Sequence, residues 1–103
     1  MNIFFYHKMK KFYNDIADAL NMLKGIETDL NIKHFSPNEL KVFYTIVSRE
    51  ASRGAQCNIT DVVNSSGMSR STVYKTLRKL SDNGVIALDK SADDKRESLI
   101  NFS

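Results

Sequence analysis

Between Ile3 and Leu23 the apolar residues Phe5, Met9, Phe12, Ile16, Leu20 and Leu23 recur at three- and four-residue intervals. That is the period of one helix face, so the pattern predicts a long amphipathic helix, punctuated by Gly25. Its apolar sector is wider than one stripe, because Phe4, Tyr6, Tyr13, Ala17 and Ala19 add to it. One stripe serves the domain's own core, and the surplus suits a second subunit. Phe4, Phe5, Met9, Phe12, Tyr13, Ile16 and Leu20 are therefore the candidate dimerisation residues, with residues 1–25 as the dimerisation element. A membrane-surface helix is the competing reading, but Asp15 and Asp18 interrupt the positive face.

The next boundary is Ser36-Pro37-Asn38-Glu39. It supplies a Ser N-cap, Pro at the first helical position and Glu three residues after the cap, a capping box. The helix that follows is expected to bury Leu40, Phe43, Tyr44, Ile46 and Val47 and to fray into Ala51-Ser52-Arg53-Gly54. A short extended piece from Gln56 to Ile59 comes next, then Thr60-Asp61 as another N-cap of a brief helix ending at Gly67. Ser69 caps a further helix to about Asn83, stopped by Gly84. Val85–Leu88 and Ser98–Phe102 read as strands joined by the nine-residue polar loop DKSADDKRE. The predicted class is mainly α with a small β-hairpin (α+β), preceded by a long N-terminal helix.

At 103 residues, 42% apolar and 26% charged, the chain is sized for one ordinary globular domain, residues 1–103. Net charge is +3, which decides little until it is located. Residues 1–35 hold five Lys/Arg and four Asp/Glu, and residues 36–68 hold three of each. Residues 69–96 hold seven basic residues against four acids, so the excess sits in the C-terminal third. Cys57 is the only cysteine, which rules out an intramolecular disulfide and suits a reducing cytoplasm. Its plainer role is that of a small apolar residue. MNIFFYHKMKK places its charges after a short apolar run, the wrong order for a secretory signal, and no apolar run approaches the roughly 18 residues of a membrane span. A cytoplasmic protein with no membrane partner is expected.

Candidate chemistry concentrates in SSGMSRSTVYKTLRKLSDNG, residues 65–84, which has no acid before Asp82. Val73, Leu77 and Leu80 fall at i, i+4 and i+7 and form the buried face. Ser69, Arg70, Ser71, Thr72, Tyr74, Lys75, Arg78 and Lys79 are then candidate DNA contacts. A short helix, a tight turn and a second helix carrying exposed basic and hydroxyl groups is the helix-turn-helix arrangement. Arg can bond guanine bidentately, hydroxyls reach bases or phosphates, and Lys neutralises backbone charge. The hairpin tip adds Lys90, Lys95 and Arg96, where an Arg suits a narrow minor groove and an Asp beside it can fix its pose. A merely solvated helix and a solubilised hairpin tip are the plainer alternatives.

The run DVVNSSGMSRSTVYKTLRKLSDNGVIALDKSADDKRESLINFS resembles the DNA-binding half of the multiple-antibiotic-resistance-regulator (MarR) family, over residues 36–103. The resemblance rests on Ser69-Arg70-Ser71-Thr72-Val73, on Leu77-Arg78-Lys79-Leu80 with Gly84-Val85-Ile86, and on Asp94-Lys95-Arg96. It implies a winged helix-turn-helix fold, with Arg96 as the wing arginine at the minor groove and Asp94 as its orienting partner. Members of that family usually continue into C-terminal helices that build the dimer and part of an effector pocket. This sequence stops at Ser103, so the expected homodimer rests chiefly on the N-terminal helix.

The function expected is sequence-specific binding of double-stranded DNA by a dimeric transcriptional regulator. The alternative is a plasmid or phage partition adaptor that coats DNA repeats and recruits a filament-forming NTPase as partner protein. A winged helix used only for protein contacts is the third reading. No enzyme signature is present: His7 and His34 are far apart, and there is neither metal-ligand spacing nor a glycine-rich phosphate loop. No catalytic residue, metal or cofactor is expected.

Overall fold

The computed structural model describes residues 3–53, 57–90 and 98–102, with side chains for residues 9–52, 57–88, 100 and 102. It divides into two compact units, residues 1–33 and 34–103.

The first unit is helix α1, Ile3–Asp29. The expected punctuation at Gly25 is corrected, since the helix runs through it. A Cβ at Gly25 would meet nothing within 4 Å, so this is a plain exposed helical glycine, which weakens a helix by about 1 kcal/mol without ending it. The stop lies at Asn31, which takes the left-handed φ of 60°. There the Ile32 N–H reaches back to Glu27 O (2.8 Å) and the Asn31 N–H to Thr28 O (3.1 Å), a Schellman closure with Asn in the place usually held by Gly. Phe12, Ile16 and Leu20 are 45%, 52% and 50% exposed, and Met9 and Leu23 are half-buried. No helix among the described residues is long and apolar enough to cross a membrane.

The second unit opens on the expected capping box. The Ser36 N–H donates to Glu39 Oε1 (2.9 Å) and the Glu39 N–H to Ser36 Oγ (3.2 Å). Helix α2, Pro37–Arg53, follows. Val42, Phe43 and Ile46 are buried and Val47 is exposed, which corrects the expected face by about one residue. Glu39, Val42, Phe43 and Ile46 share the inward side because the i, i+3, i+4, i+7 rows fall there.

Helix α3, Ile59–Ser66, is capped by Asn58, not by Thr60-Asp61. Asp61 is the third residue of the helix. It donates its N–H to Asn58 Oδ1 (2.8 Å) and accepts the Asn58 N–H at 3.3 Å, so an Asn/Asp pair makes the capping box in place of the Ser/Glu form. The extended piece therefore ends one residue early. Gly67 closes the helix at φ 72°, its N–H bonding Val63 O. Helix α4, Arg70–Asp82, is capped by Ser69, which accepts the Thr72 N–H. It ends in a second Schellman closure: Gly84 has φ 74°, and the Val85 N–H reaches Leu80 O at 3.0 Å.

Strand β1, Ile86–Lys90, pairs antiparallel with β2, Ser98–Phe102, in the register Ile86↔Phe102 to Lys90↔Ser98. β1 thus starts one residue later than the pattern predicted and takes in Asp89 and Lys90. The Ile100 N–H also donates to Cys57 O (3.0 Å), tying the segment before α3 to the hairpin. Burial, then the charges of Glu50 and Asp61, push the Cys57 thiol up, so this buried side chain stays protonated and apolar in character. Val42, Ile46, Ile59, Val62, Val73, Leu77, Leu80 and Ile100 are fully buried. They gather α2, α3, α4 and the hairpin around one core. This is a winged helix-turn-helix, mainly α with a two-stranded wing.

Candidate nucleic-acid interface

α4 presents two faces of opposite chemistry. Val73, Leu77 and Leu80 are buried as the spacing predicts, joined by Thr76, whose hydroxyl donates back to Thr72 O (2.8 Å) and so enters the core satisfied. Arg70, Ser71, Lys75 and Arg78 are exposed, and Tyr74 is 38% exposed. Ser71, Tyr74, Lys75, Arg78, Lys79 and Asp82 line one shallow groove along this face. Among the described residues, Lys75 and Arg78 have no hydrogen-bond or ion-pair partner.

The start of α4 is a cluster of hydroxyls. Ser69 Oγ lies 3.2 Å from Ser71 Oγ and donates to Thr72 Oγ1 at 3.0 Å. The Arg70 guanidinium donates to Thr60 Oγ1 on α3 (3.1 Å), which braces it across the turn. These groups stand where the first amides of the helix have no intrahelical acceptor.

Lys79 stands apart from the other candidate contacts. Its ammonium lies 2.7 Å from Glu39 Oε2 and 5.6 Å from the centre of the Phe35 ring, so its charge is matched inside the domain and clamps α4 to α2. Sequence reasoning marked Glu39 only as a cap; its second carboxylate oxygen gave no signal, because Lys79 lies forty residues away. Arg49 was likewise missed. It donates to Ser65 Oγ (2.5 Å) and pairs with Asp61 at 3.6 Å, joining α2 to α3. Lys95 and Arg96 lie outside the described residues, as do the side chains of Lys90, Phe4 and Phe5.

Burial by itself raises the Glu39 carboxyl. The Lys79 hydrogen bond, the Ser36 N–H, the Lys79 charge and the Ser36 hydroxyl outweigh it, and the pKa settles below its ordinary value. The pair's contribution is thus complete above the pKa of an unfolded glutamate and is lost as pH falls through the lower folded value. Glu39→Gln is expected to lower stability by about 1–2 kcal/mol near neutral pH, since Lys79 is partly solvated. In thermal melts the gap between wild type and variant should close as pH falls through that window. A gap that persists in acid would show that charge is not its source.

Residues 30–96 match the family described as the sugar-specific transcriptional regulator TrmB. The chain belongs to this family. Among solved structures, MarR is similar over 92% of this chain and 64% of its own, at 14% identity and a TM-score of 0.55. Sco3205, a MarR-family transcriptional regulator from Streptomyces coelicolor solved with DNA, is similar over 91% and 58%, at 15% identity and 0.57. The heme sensor PefR from Streptococcus agalactiae, solved with heme, is similar over 92% and 63%, at 16% identity and 0.54. At such identities the likeness establishes the fold, and the chain spans about three fifths of each structure's length. No curated protein sequence matches it. TrmB-family membership places the chain among transcriptional regulators, and its fold is that of the winged-helix structures.

Proposed function

We propose that the chain binds double-stranded DNA as a homodimer, with α4 in the major groove and the wing at the adjacent minor groove. The observation that carries this reading is the exposed arc of α4. Arg70, Lys75 and Arg78 stand on it with Ser71 and Tyr74, and no acid follows until Asp82. A helix that only needed solubility would gain from acids interleaved at i, i+4; a surface laid against phosphates would not. Arg70 and Arg78 reach base edges, Lys75 and the hydroxyls of Ser69, Ser71 and Thr72 hold phosphates, and Tyr74 offers an apolar edge to a thymine methyl. Lys79 is left to Glu39. Lys90, Lys95 and Arg96 join the interface from the wing on sequence alone.

A footprint and mobility-shift titration on the DNA flanking the gene tests this directly. A protected, two-fold-related site is expected, with log affinity falling linearly in log salt. Lys75→Ala should weaken binding evenly across sequences and reduce that slope by about 1. Affinity that is negligible at physiological salt would leave protein contacts as the use of this fold. Protection that spreads over iterated repeats would favour the partition reading.

A further inference from the structure

α1 carries a stricter pattern than an amphipathic stripe. Met9, Phe12, Ile16, Ala19, Leu23 and Ile26, with Leu30 one residue past the helix end, alternate three- and four-residue steps, the a and d positions of a heptad, and Phe5 continues the pattern in the sequence. None of the seven is buried. Phe12, Ile16 and Ile26 are 45%, 52% and 41% exposed, Ala19 is exposed, and Met9, Leu23 and Leu30 are half-buried. A seven-residue repeat drifts about 20° per heptad around a straight α-helix. It keeps facing a partner only if two helices coil around each other. A single helix packed on a globular core has no need of the repeat.

We propose that this seam forms an antiparallel coiled coil with α1 of a second copy of the chain. In the register of full overlap, Ile16 packs on the partner's Ala19, Phe12 on the partner's Leu23, and Met9 on the partner's Ile26. Large meets small at the centre, and every seam position from Phe5 to Leu30 has an opposite. The flanking positions select the direction. Run antiparallel, Tyr13 meets the partner's Leu20, and the position of Asp29 faces that of the partner's Lys8. Asp15 against the partner's Met22 is the one pairing of a charge with an aliphatic side chain. Run parallel, Asp15 would face the partner's Leu20 and Glu27 the partner's Met22, and no opposite charges would meet. The antiparallel pairing also accounts for the width of the apolar sector, because Tyr13 and Leu20 are 60% and 50% exposed beside the seam. Phe4 falls outside it.

The inference rests on the dimer proposed above and deepens it, so the experiment separates the two. Sedimentation of the full chain gives its mass across concentration, for wild type and for Ile16→Lys. Ile16 is exposed, so the substitution leaves the single chain's fold intact, checked by helical circular dichroism. Phe12→Cys and Leu23→Cys chains are then mixed under reducing conditions and oxidised, with the wild type controlling for Cys57. In the antiparallel register residues 12 and 23 of opposite copies are adjacent. Two copies of residue 23 are then separated by eleven residues, roughly 16 Å along the axis at 1.5 Å per residue.

The expected results are a wild-type dimer, at least tenfold weaker self-association for Ile16→Lys, and a mixed disulfide with no Leu23→Cys self-disulfide. A wild-type monomer at all concentrations would overturn both this inference and the dimer. A dimer that survives Ile16→Lys, or that yields the self-disulfide in place of the mixed one, would overturn this inference alone.

Discussion

Leu77→Ala is expected to lower the stability of the winged-helix unit by about 2–5 kcal/mol, a large part of what a domain of this size has. Leu77 is fully buried on the inner face of α4, between Val73 and Leu80, which are buried as completely. α4 packs on α2, on α3 and on β1, so a cavity there opens where three elements meet and none can move in alone to fill it. The loss combines the transfer energy of the deleted methyl groups with that of the residual void. Denaturant unfolding checks it: the midpoint should fall with the slope unchanged. Tyr74→Ala, three residues away on the outer face, should change stability by no more than about 0.5 kcal/mol. A loss below about 1 kcal/mol for Leu77→Ala would mean that the inner face of α4 is misassigned, and its outer face with it.

That division of α4 was legible in the sequence because it depends on one periodicity and two local signals, the Ser69 cap and Gly84. The same holds for the Ser36/Glu39 capping box and for the span of β2. Interactions between distant residues were hidden. No spacing rule connects Glu39 to Lys79 or Arg49 to Ser65, since those pairs exist only once α2, α3 and α4 have packed. Gly25 misled for the opposite reason. Glycine lowers helix propensity everywhere, but it ends a helix only where the chain must take positive φ, and here Asn31 takes that place. The α3 start was missed because Thr60 and Asp61 are themselves N-cap residue types, and the box that Asn58 closes has Asp61 where Glu or Gln is usual. The α1 stripe was legible as the period of a helix over Ile3–Asp29.

Arg78→Ala is expected to weaken specific DNA binding by about 1–3 kcal/mol, roughly 5- to 150-fold. Arg78 is exposed in the groove that also contains Tyr74 and Lys75, with its guanidinium unpaired among the described residues. On the proposed reading it would contact DNA without first giving up an internal bond. Arg70 starts from a different position, held by Thr60 at 3.1 Å, so its pose is partly fixed before DNA arrives and its loss should fall in the same range. Arg78→Lys separates the two ways such a residue can act. A phosphate contact keeps most of its value with any cation, so the lysine variant would bind nearly as wild type does and keep the salt slope. A bidentate contact to guanine needs the planar fork, so Arg78→Lys should lose most of what Arg78→Ala loses while the slope stays near that of wild type. Base-by-base competition should then show relaxed preference at a single pair in each half-site. Arg70→Ala and Arg78→Ala variants that both bind the operator as tightly as wild type would remove α4 from the groove and leave the wing as the main contact.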